Sequence, residues 1–217
     1  MPSVTIVDYG SGNLHSAAKA FERAAQETLT HHSILVTSDP KIIRDSDRLV
    51  LPGVGAFADC KKGLDKIPDL REALEDTVRR KGRPFLGICV GMQLLATQGL
   101  EHGSTEGLDW ISGVVEAISP KDPELKIPHM GWNTLFPTSA HPLLKDIDLG
   151  PQGLHAYFVH SYHFIPQNPA SIVAQTEYGG NLVALIADKN IAGTQFHPEK
   201  SQILGLRLIA NFLSWSP

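Results

Sequence analysis

Residues 84–95, Pro-Phe-Leu-Gly-Ile-Cys-Val-Gly-Met-Gln-Leu-Leu, decide the fold of the chain. The apolar run that ends at Cys89 predicts a buried strand, and the residues from Val90 onward are typical of a helix. Glycines at 87 and 91 relieve the crowding that side chains would cause at a sharp turn between the two. We therefore expect the Cys89 thiol at the open edge of a sheet and at a helix N-terminus. A core cysteine on a buried helix is the alternative when this pattern is taken alone.

Strands and helices alternate on the N-terminal side of this stretch. Three short β-rich runs, at 4–7, 34–36 and 48–51, predict strands, and residues 14–25 follow a helical pattern. A second helical pattern starts at Leu70 and continues to Gly82, a residue type that commonly ends a helix. Such alternation is typical of βαβ units, so the chain predicts an α/β fold with a mainly parallel sheet.

The pattern changes after Trp110. Five strand-like runs, at 111–118, 155–158, 171–175, 182–187 and 191–196, follow without intervening helices, and they predict antiparallel strands added to the sheet. Apolar side chains then recur at helical spacing between residues 203 and 213, and Ser201 is placed as the N-cap of this last helix. Residues 120–128 predict a surface excursion.

Composition narrows the class of protein. With 217 residues, 42% of them hydrophobic, the chain can bury a substantial core, and one domain over residues 1–217 is expected. A net charge of −4 does not attract a phosphate backbone, so we expect no nucleic acid partner. The apolar runs are short and the first residues do not resemble a secretory signal, which predicts a cytoplasmic protein without a membrane partner. Two cysteines do not make a disulfide framework, and we expect Cys60 to take no part in the chemistry.

A second motif lies near the C-terminus. The apolar run 191–196 ends in His197-Pro198-Glu199, which places a carboxylate two residues after a histidine. A cysteine nucleophile needs a base for its proton, and that base needs a third group to hold its tautomer. His197 and Glu199 fit those roles, with Pro198 stiffening the connection. Taken alone, this tripeptide is also typical of a surface turn before a helix, and it is the joint occurrence with the Cys89 motif that favours catalysis.

A third motif, Leu51-Pro52-Gly53-Val54-Gly55-Ala56-Phe57, follows directly after a predicted strand. Acyl chemistry creates an oxyanion, and backbone N–H groups in a glycine-rich turn can be directed at it. Gly53, Val54 and Val90, the residue after the cysteine, are the candidate donors. The turn lacks the Lys-Ser/Thr ending of a phosphate-binding loop. Alone it predicts only a tight exit from a strand.

Together these motifs resemble the class I, or triad, glutamine amidotransferases. Residues 87–93 match the nucleophile motif of that family, and residues 197–199 match its His-Glu pair. Further stretches resemble the family members that serve histidine biosynthesis, so that the match covers essentially the whole chain: 7–14, 51–57, 128–133, 157–162 and 195–202. The resemblance implies a flavodoxin-like fold with a mainly parallel central sheet flanked by helices. It also implies hydrolysis of glutamine to glutamate and ammonia by a Cys-His-Glu triad that requires no metal or other cofactor.

The resemblance also assigns residues that bind glutamine. Gln93 and Glu101 fall where the family contacts the substrate, and Ser161 with Tyr162 falls on the segment that lines its other side. Gln93 lies four residues after Cys89, so it can share the helix face near the nucleophile. Without the family match Gln93 could equally be an ordinary exposed helix residue. The family often has Thr where this chain has Ser161, which keeps the hydroxyl. Glu101 lies beyond Gly99, a residue type that commonly ends a helix.

A separate cyclase subunit is the partner that the resemblance implies. In these family members the glutaminase docks on a cyclase barrel as a heterodimer, and the barrel uses the ammonia to form imidazole glycerol phosphate and aminoimidazole-carboxamide ribotide. Asn13, Trp132 and Lys200 resemble positions that face the cyclase. Asn13 could equally cap a helix, Lys200 could be a solvated charge, and Trp132 could belong to the core. We expect the isolated chain to be a poor glutaminase, activated when the liganded cyclase turns a peptide within residues 52–55.

Other functions of the same motifs remain open on the sequence alone. The nearest is an amidotransferase subunit for another acceptor, such as pyridoxal phosphate or anthranilate synthesis. From a different class, the cysteine turn could belong to a cysteine peptidase or to a non-catalytic, chaperone-like relative of the fold. A pull-down of the cognate synthase, or covalent labelling of Cys89 by a glutamine-like electrophile, separates these alternatives.

Overall fold

All 217 residues are described by a computed structural model. The helices are α1 (Leu14–Glu27), α2 (Pro40–Arg44), α3 (Phe57–Lys66), α4 (Leu70–Leu74), α5 (Val90–Gln93) and α6 (Gln202–Ser214). A π-helical segment, Glu75–Arg80, continues α4, and 3-10 turns cover Pro142–Leu144, Pro169–Ser171 and Pro198–Lys200. The strands are β1 (Ser3–Val7), β2 (Ser33–Thr37), β3 (Arg48–Gly53), β4 (Phe85–Cys89), β5 (Gln98–Gly99), β6 (Thr105–Glu106), β7 (Gly113–Ala117), β8 (His129–Thr134), β9 (Phe136–Pro137), β10 (His155–His160), β11 (Tyr162–Pro166), β12 (Ile172–Glu177), β13 (Asn181–Asp188) and β14 (Ile191–Thr194).

An eight-stranded central sheet has the order β2-β1-β3-β4-β14-β13-β12-β9. The first five of these strands are parallel, and the last three pair antiparallel. Every residue of β4 is buried, as expected for a parallel strand with both faces covered. The α/β fold with a mainly parallel sheet and added antiparallel strands is therefore confirmed.

Two details of the C-terminal half differ from the sequence prediction. β14 pairs parallel with β4, so the strand before His197 lies inside the parallel part of the sheet. The predicted strands around residues 111–118 and 155–158 do not extend the central sheet, because β7 and β10 pair in two small separate sheets with β11 and β8. A hydrophobic pattern indicates that a strand is buried but does not indicate which strand lies beside it. The sequence patterns also did not predict α3, β8 or β11.

The helices pack in two groups, α1 with α6, and α2 and α3 with α4. The predicted helical pattern of α1 is confirmed, because its buried side chains follow helical spacing: Ala17, Ala20, Phe21, Ala24 and Ala25. Phe21 meets Phe212 of α6 edge to face at 6.1 Å. Gly82 adopts a φ of +67°, as a residue that ends the helical segment before it would. None of the helices combines the length and the apolarity needed to cross a bilayer.

The carboxyl ends of three adjacent parallel strands meet at one edge of the sheet. In β3 and β4, Gly53 pairs with Cys89, and in β14 and β4, Thr194 pairs with Ile88. The segment after Thr194 therefore leaves the sheet beside the segment after Cys89. In open parallel sheets this edge is where ligands bind.

Candidate active site

Cys89 occupies a strained turn at the end of β4. Its φ of +55° and ψ of −113° are rare for a residue with a side chain. A Cβ at Gly91 would lie 1.8 Å from the Leu51 carbonyl oxygen, and one at Gly87 would lie 2.5 Å from the Gly91 oxygen. The glycine spacing is thus required by close backbone contact, and the chain bears a strained conformation at the one residue that carries the thiol.

The helix after Cys89 is shorter than the sequence predicts. α5 is four residues long, and tighter turns follow it, with N–H groups of Leu95 and Ala96 donating to carbonyls three residues earlier. Because a helix dipole grows with aligned peptide groups, this single turn contributes little to stabilising a thiolate. Support for negative charge at Cys89 must therefore come mainly from neighbouring side chains.

One such neighbour, Gln195, was not assigned a role from the sequence. Its Nε2 lies 3.8 Å from the Cys89 Sγ, and its Oε1 accepts from Gln93 Nε2 at 3.0 Å. Gln93 and Gln195 are both buried. A glutamine near the end of the run 191–196, two residues before His197, was the signal that could have indicated it.

His197 and Glu199 form a buried pair. The Nδ1–H of His197 donates to Glu199 Oε1 at 2.8 Å, and both side chains are 3% exposed. The Nε2 of His197 makes no regular hydrogen bond in this structure, although Cys89 is near enough to influence the ring electrostatically. Burial opposes protonation of the ring, but Cys89 and Glu199 outweigh it and raise the pKa of His197 to about 9. This arrangement favours a protonated His197 ring between Glu199 and Cys89.

Ser201 has a different contact from the predicted cap. It stands at the N-cap position of α6, but its side chain makes no capping hydrogen bond. Its hydroxyl donates to the His197 carbonyl at 2.6 Å and accepts from the Tyr157 N–H at 3.0 Å. The Ser201 hydroxyl therefore joins the turn of His197 to β10. It makes these tertiary hydrogen bonds instead of a capping bond to α6.

A cavity of about 310 Å³ opens beside Cys89. Its volume lies at the small end of the range for ligand sites and suits a single amino acid. The residues that line it are Val54, Gly55, Cys89, Val90, Gln93, Glu101, Pro128, Val159, His160, Ser161, Tyr162 and His197. The structure thus brings together all four residues predicted to bind glutamine with the cysteine and histidine. Glu199, which is hydrogen-bonded to His197, does not line the cavity, and neither does Gly53.

Glu101 reaches the cavity from the segment after β5. Its Oε2 accepts from the backbone N–H of Phe57 at 2.8 Å, at the first residue of α3. The carboxylate therefore ties the loop after Gly99 to the start of α3. It leaves Glu101 close to the glycine-rich turn before that helix.

The predicted oxyanion donor Val54 is held by another group. Its N–H donates to Ser11 Oγ at 3.0 Å, and the Ser11 hydroxyl donates to the Val54 carbonyl at 2.8 Å. The thiol of Cys60 also donates to the Val54 carbonyl, at 3.3 Å. In this conformation the Val54 N–H is occupied and does not serve Cys89. Cys60 is buried, and burial raises the pKa of its thiol, which agrees with an unreactive residue.

The three residues predicted to face a partner lie at the surface. Asn13 is exposed and caps α1, with its side chain accepting from the Ser16 N–H at 3.3 Å. Trp132 is 48% exposed, so the core alternative for it is wrong. Trp132 meets the Tyr157 ring edge to face at 5.6 Å, and the Lys200 Nζ lies 5.6 Å from the centre of the same ring. Lys200 is thus held by an aromatic face.

The chain is similar to glutamine amidotransferases along nearly its whole length. The family model described as Glutamine amidotransferase class-I matches residues 5–214. A protein of Rhodopseudomonas palustris named imidazole glycerol phosphate synthase subunit HisH is 60% identical over 215 residues, which cover 99% of this chain and 100% of that one. The protein of the same name from Rhodospirillum rubrum is 59% identical, with 99% of both chains covered.

Solved structures share the fold at much lower identity. One glutamine amidotransferase superposes with a TM-score of 0.70 at 16% identity, over 97% of this chain and 99% of that chain. A glutamine amidotransferase from Thermotoga maritima superposes with a TM-score of 0.60 at 20% identity, over 91% of this chain and 76% of that one. The likeness at these identities is one of architecture.

Proposed function

Since the chain belongs to the class-I glutamine amidotransferase family, we propose that it hydrolyses glutamine to glutamate and ammonia and supplies the ammonia to a cyclase subunit. The cyclase makes imidazole glycerol phosphate and aminoimidazole-carboxamide ribotide in histidine biosynthesis. The observation that supports the proposal is the buried His197–Glu199 pair, with His197 and Cys89 both lining a cavity of amino-acid size. Further support comes from the relatives named as synthase subunits, because the chain matches them from end to end.

Substrate binding begins the proposed reaction. Gln93 and Glu101 contact the substrate glutamine from one side of the cavity, and Ser161 with Tyr162 lines the other. These contacts hold the side-chain amide of the substrate against Cys89. Most of the chemical advantage at this stage comes from placing the carbonyl carbon within reach of a fixed sulfur atom.

Attack by the Cys89 thiolate forms a carbon–sulfur bond and moves the carbonyl electron pair onto oxygen. The N–H groups of Val90 and of the Gly53–Val54 segment stabilise the resulting oxyanion. His197, protonated beside the thiolate and supported by Glu199, gives its proton to the departing nitrogen, which leaves as ammonia. The carbon–nitrogen bond breaks, and a glutamyl thioester remains on Cys89.

Water completes the cycle. Neutral His197 takes a proton from water, hydroxide adds to the thioester carbonyl, and the carbon–sulfur bond breaks to release glutamate. The proton returns the pair to imidazolium and thiolate. No metal or other cofactor takes part in these steps.

Ammonia transfer explains the need for a partner. Ammonia that escapes into water is protonated and lost as a nucleophile, so it must pass directly to the cyclase. The two subunits form a heterodimer, with Asn13, Trp132 and Lys200 on the docking face. The whole synthase is a lyase that works in the cytoplasm, and residues 1–217 form its single amidotransferase domain.

The partner also activates the glutaminase. The Val54 N–H, occupied by Ser11 in the free chain, becomes an oxyanion donor when the liganded cyclase turns a peptide within residues 52–55. Glycines on both sides of Val54 permit two backbone states. The free chain is therefore slow, and ammonia is made rapidly only when the acceptor is in place.

Glutamine hydrolysis measured with and without the cyclase subunit and its ribotide ligand tests the proposal. Glutamate release should rise at least tenfold when both are present, because one oxyanion donor contributes on the order of 10²–10³ in kcat. Equal turnover in the two conditions would contradict the activation step.

The variant Cys89→Ala tests the division of labour in the same complex. We expect loss of glutamine-dependent synthesis and unchanged synthesis from added ammonium salt, because the cyclase needs only ammonia. Loss of both activities, with the heterodimer intact by gel filtration, would contradict the assignment.

A further inference from the structure

Two buried histidines outside the triad face each other beside the glutamine cavity. His129 of β8 and His160 of β10 are directly opposite in the antiparallel pair, and they are 3% and 6% exposed. Their rings contact through His129 Nδ1 and His160 Nε2 at 3.0 Å. His160 also lines the cavity. The reaction described above uses neither ring.

The proton positions of both rings follow from their partners. His160 Nδ1 lies 2.9 Å from the Tyr162 carbonyl oxygen, which can only accept, so this nitrogen carries the hydrogen. A neutral His160 then has a lone pair on Nε2, and His129 must donate to it from Nδ1. This leaves a lone pair on His129 Nε2, which faces the Nδ2 of Asn133 at 3.3 Å. The same Nδ2 donates to the Glu177 carbonyl at 2.7 Å, which settles the orientation of the amide.

Burial keeps the two rings neutral. It lowers the pKa of His129 to about 4 and the pKa of His160 to about 3. The ring of His129 is stacked on Phe158, at 4.6 Å, and on Tyr178, at 4.1 Å, and these contacts restrain its rotation. Both histidines are therefore held in the Nδ1–H form.

The Tyr162 carbonyl joins this pair to the nucleophile. It also accepts from Gln93 Nε2 at 3.0 Å, and the second hydrogen of that amide is donated to Gln195 Oε1. Gln195 in turn directs its Nε2 at the Cys89 Sγ. If the Tyr162 carbonyl moves away, the Gln93 amide loses the contact that fixes its orientation. A reversed amide would set the Gln93 oxygen against the Gln195 oxygen.

We infer that His129 and His160 are positioning residues for glutamine hydrolysis: as neutral Nδ1–H imidazoles they hold the Tyr162 carbonyl where it orients Gln93, Gln195 and the Cys89 thiol. The inference rests on the proposed function. It assigns a purpose to two polar rings in a place where apolar side chains would pack at lower cost, because each buried polar group needs its partner. His129 lies on β8, the strand that also carries Trp132 of the proposed docking face.

The kinetic test compares His160→Phe, His129→Phe and His160→Asn in the complex with the cyclase subunit and its ribotide ligand. The value of kcat/KM for glutamine should fall about tenfold to a hundredfold in His160→Phe, which removes the donor to Tyr162, and about tenfold in His129→Phe. His160→Asn, whose Nδ2 can take the place of the ring Nδ1, should recover most of the loss. Synthesis from ammonium salt should be unchanged in all three.

His141→Phe is the matched control, because His141 is a partly buried histidine that packs on Trp215 outside the cavity. It should keep the wild-type kcat/KM. If the wild-type complex does not hydrolyse glutamine, the proposed function fails. If the wild type is active and folded His160→Phe is equally active, the positioning role alone is overturned.

Ring nitrogen NMR of the wild-type heterodimer provides a test that does not depend on any variant folding. Long-range proton–nitrogen spectra should show a protonated Nδ1 and an unprotonated Nε2 for both His129 and His160 at neutral pH. An Nε2–H form at either ring, or a doubly protonated ring, would overturn the inference.

Discussion

The sharp turn from β4 into α5 at residues 87–91, the nucleophile elbow, lies beside the turn of residues 52–55, since Gly53 pairs with Cys89. Gly53 is packed as tightly as the elbow, but the Val54–Gly55 half of the turn is held in a different way. At the elbow, an added methyl group at Gly91 would meet backbone at 1.8 Å, so the chain is closely packed there. At the turn, Val54 is 44% exposed and an added Cβ at Gly55 would meet nothing within 4 Å. Hydrogen bonds from Ser11 and Cys60 hold Val54 instead of packing.

The difference shows which part of the site can be regulated. The groups proposed to exchange protons, His197 and Glu199, are buried, whereas the proposed oxyanion donor, the Val54 N–H, is held by hydrogen bonds at the surface. Each such bond contributes about 0.5–1.5 kcal/mol, an amount that partner binding can readily exceed. A chain built in this way can control catalysis through the turn without disturbing the nucleophile.

The largest effect is expected at Glu199, in the buried pair with His197. In Glu199→Gln, the amide no longer selects the His197 tautomer or supports its positive charge, and kcat for glutamine should fall about 10³–10⁴-fold. The pKa of His197, about 9 in the native chain, should fall, because a carboxylate that favours the protonated ring has been lost. Glutaminase assays of the complex and NMR titration of His197 measure the two changes.

The exposed Glu106 of β6 offers a matched control for that change. Glu106→Gln removes the same charge outside the cavity and should leave kcat and the His197 titration unchanged. A Glu199→Gln enzyme within tenfold of the wild type would show that the carboxylate is not needed.

A second change tests the rigidity of the elbow itself. Gly91→Ala forces its Cβ onto the Leu51 carbonyl, and the free energy of unfolding should fall by about 3–5 kcal/mol, as in other severe backbone clashes. Urea denaturation measures it. Gly150→Ala is the comparison, since its added Cβ meets open space and its φ of +90° alone should cost about 1 kcal/mol. Equal losses in the two variants would contradict the steric account of the elbow.

The smallest of the three effects is expected at the turn. Ser11→Ala removes the hydroxyl that occupies the Val54 N–H, and basal glutaminase of the free chain should rise about tenfold as the donor is released. Activation by the cyclase should shrink by the same factor. Ser139→Ala, on an exposed segment outside the cavity, is the control and should change neither rate. Unchanged basal activity in Ser11→Ala would mean that this hydroxyl does not restrain the turn.

Much of the fold and site was predictable because local sterics and hydrophobic periodicity act over a few residues. The strand and turn that end at Cys89, the presence of a strand before His197 and the mainly parallel sheet were predicted correctly, whereas the helix after Cys89 is a single turn and β14 pairs parallel. Gln195, His129 and His160 were missed, since a buried polar residue shows its purpose only through its partners, Cys89 for Gln195 and the two histidines for each other. Cys89 lies 106 residues from Gln195, and His129 lies 31 residues from His160.

The amino-acid sequence by itself determined the reactive groups and the class of chemistry, because a glycine-flanked cysteine and a His-Pro-Glu turn constrain their own backbone and protonation partners. Only the tertiary structure decided which groups meet. The register of β14 and β3 on β4 brings His197 and Gly53 to Cys89, and Ser201 joins β10 instead of capping α6. The physical reason is that strand register and buried hydrogen bonds are selected by the packing of the whole core, and no short stretch of chain contains that choice.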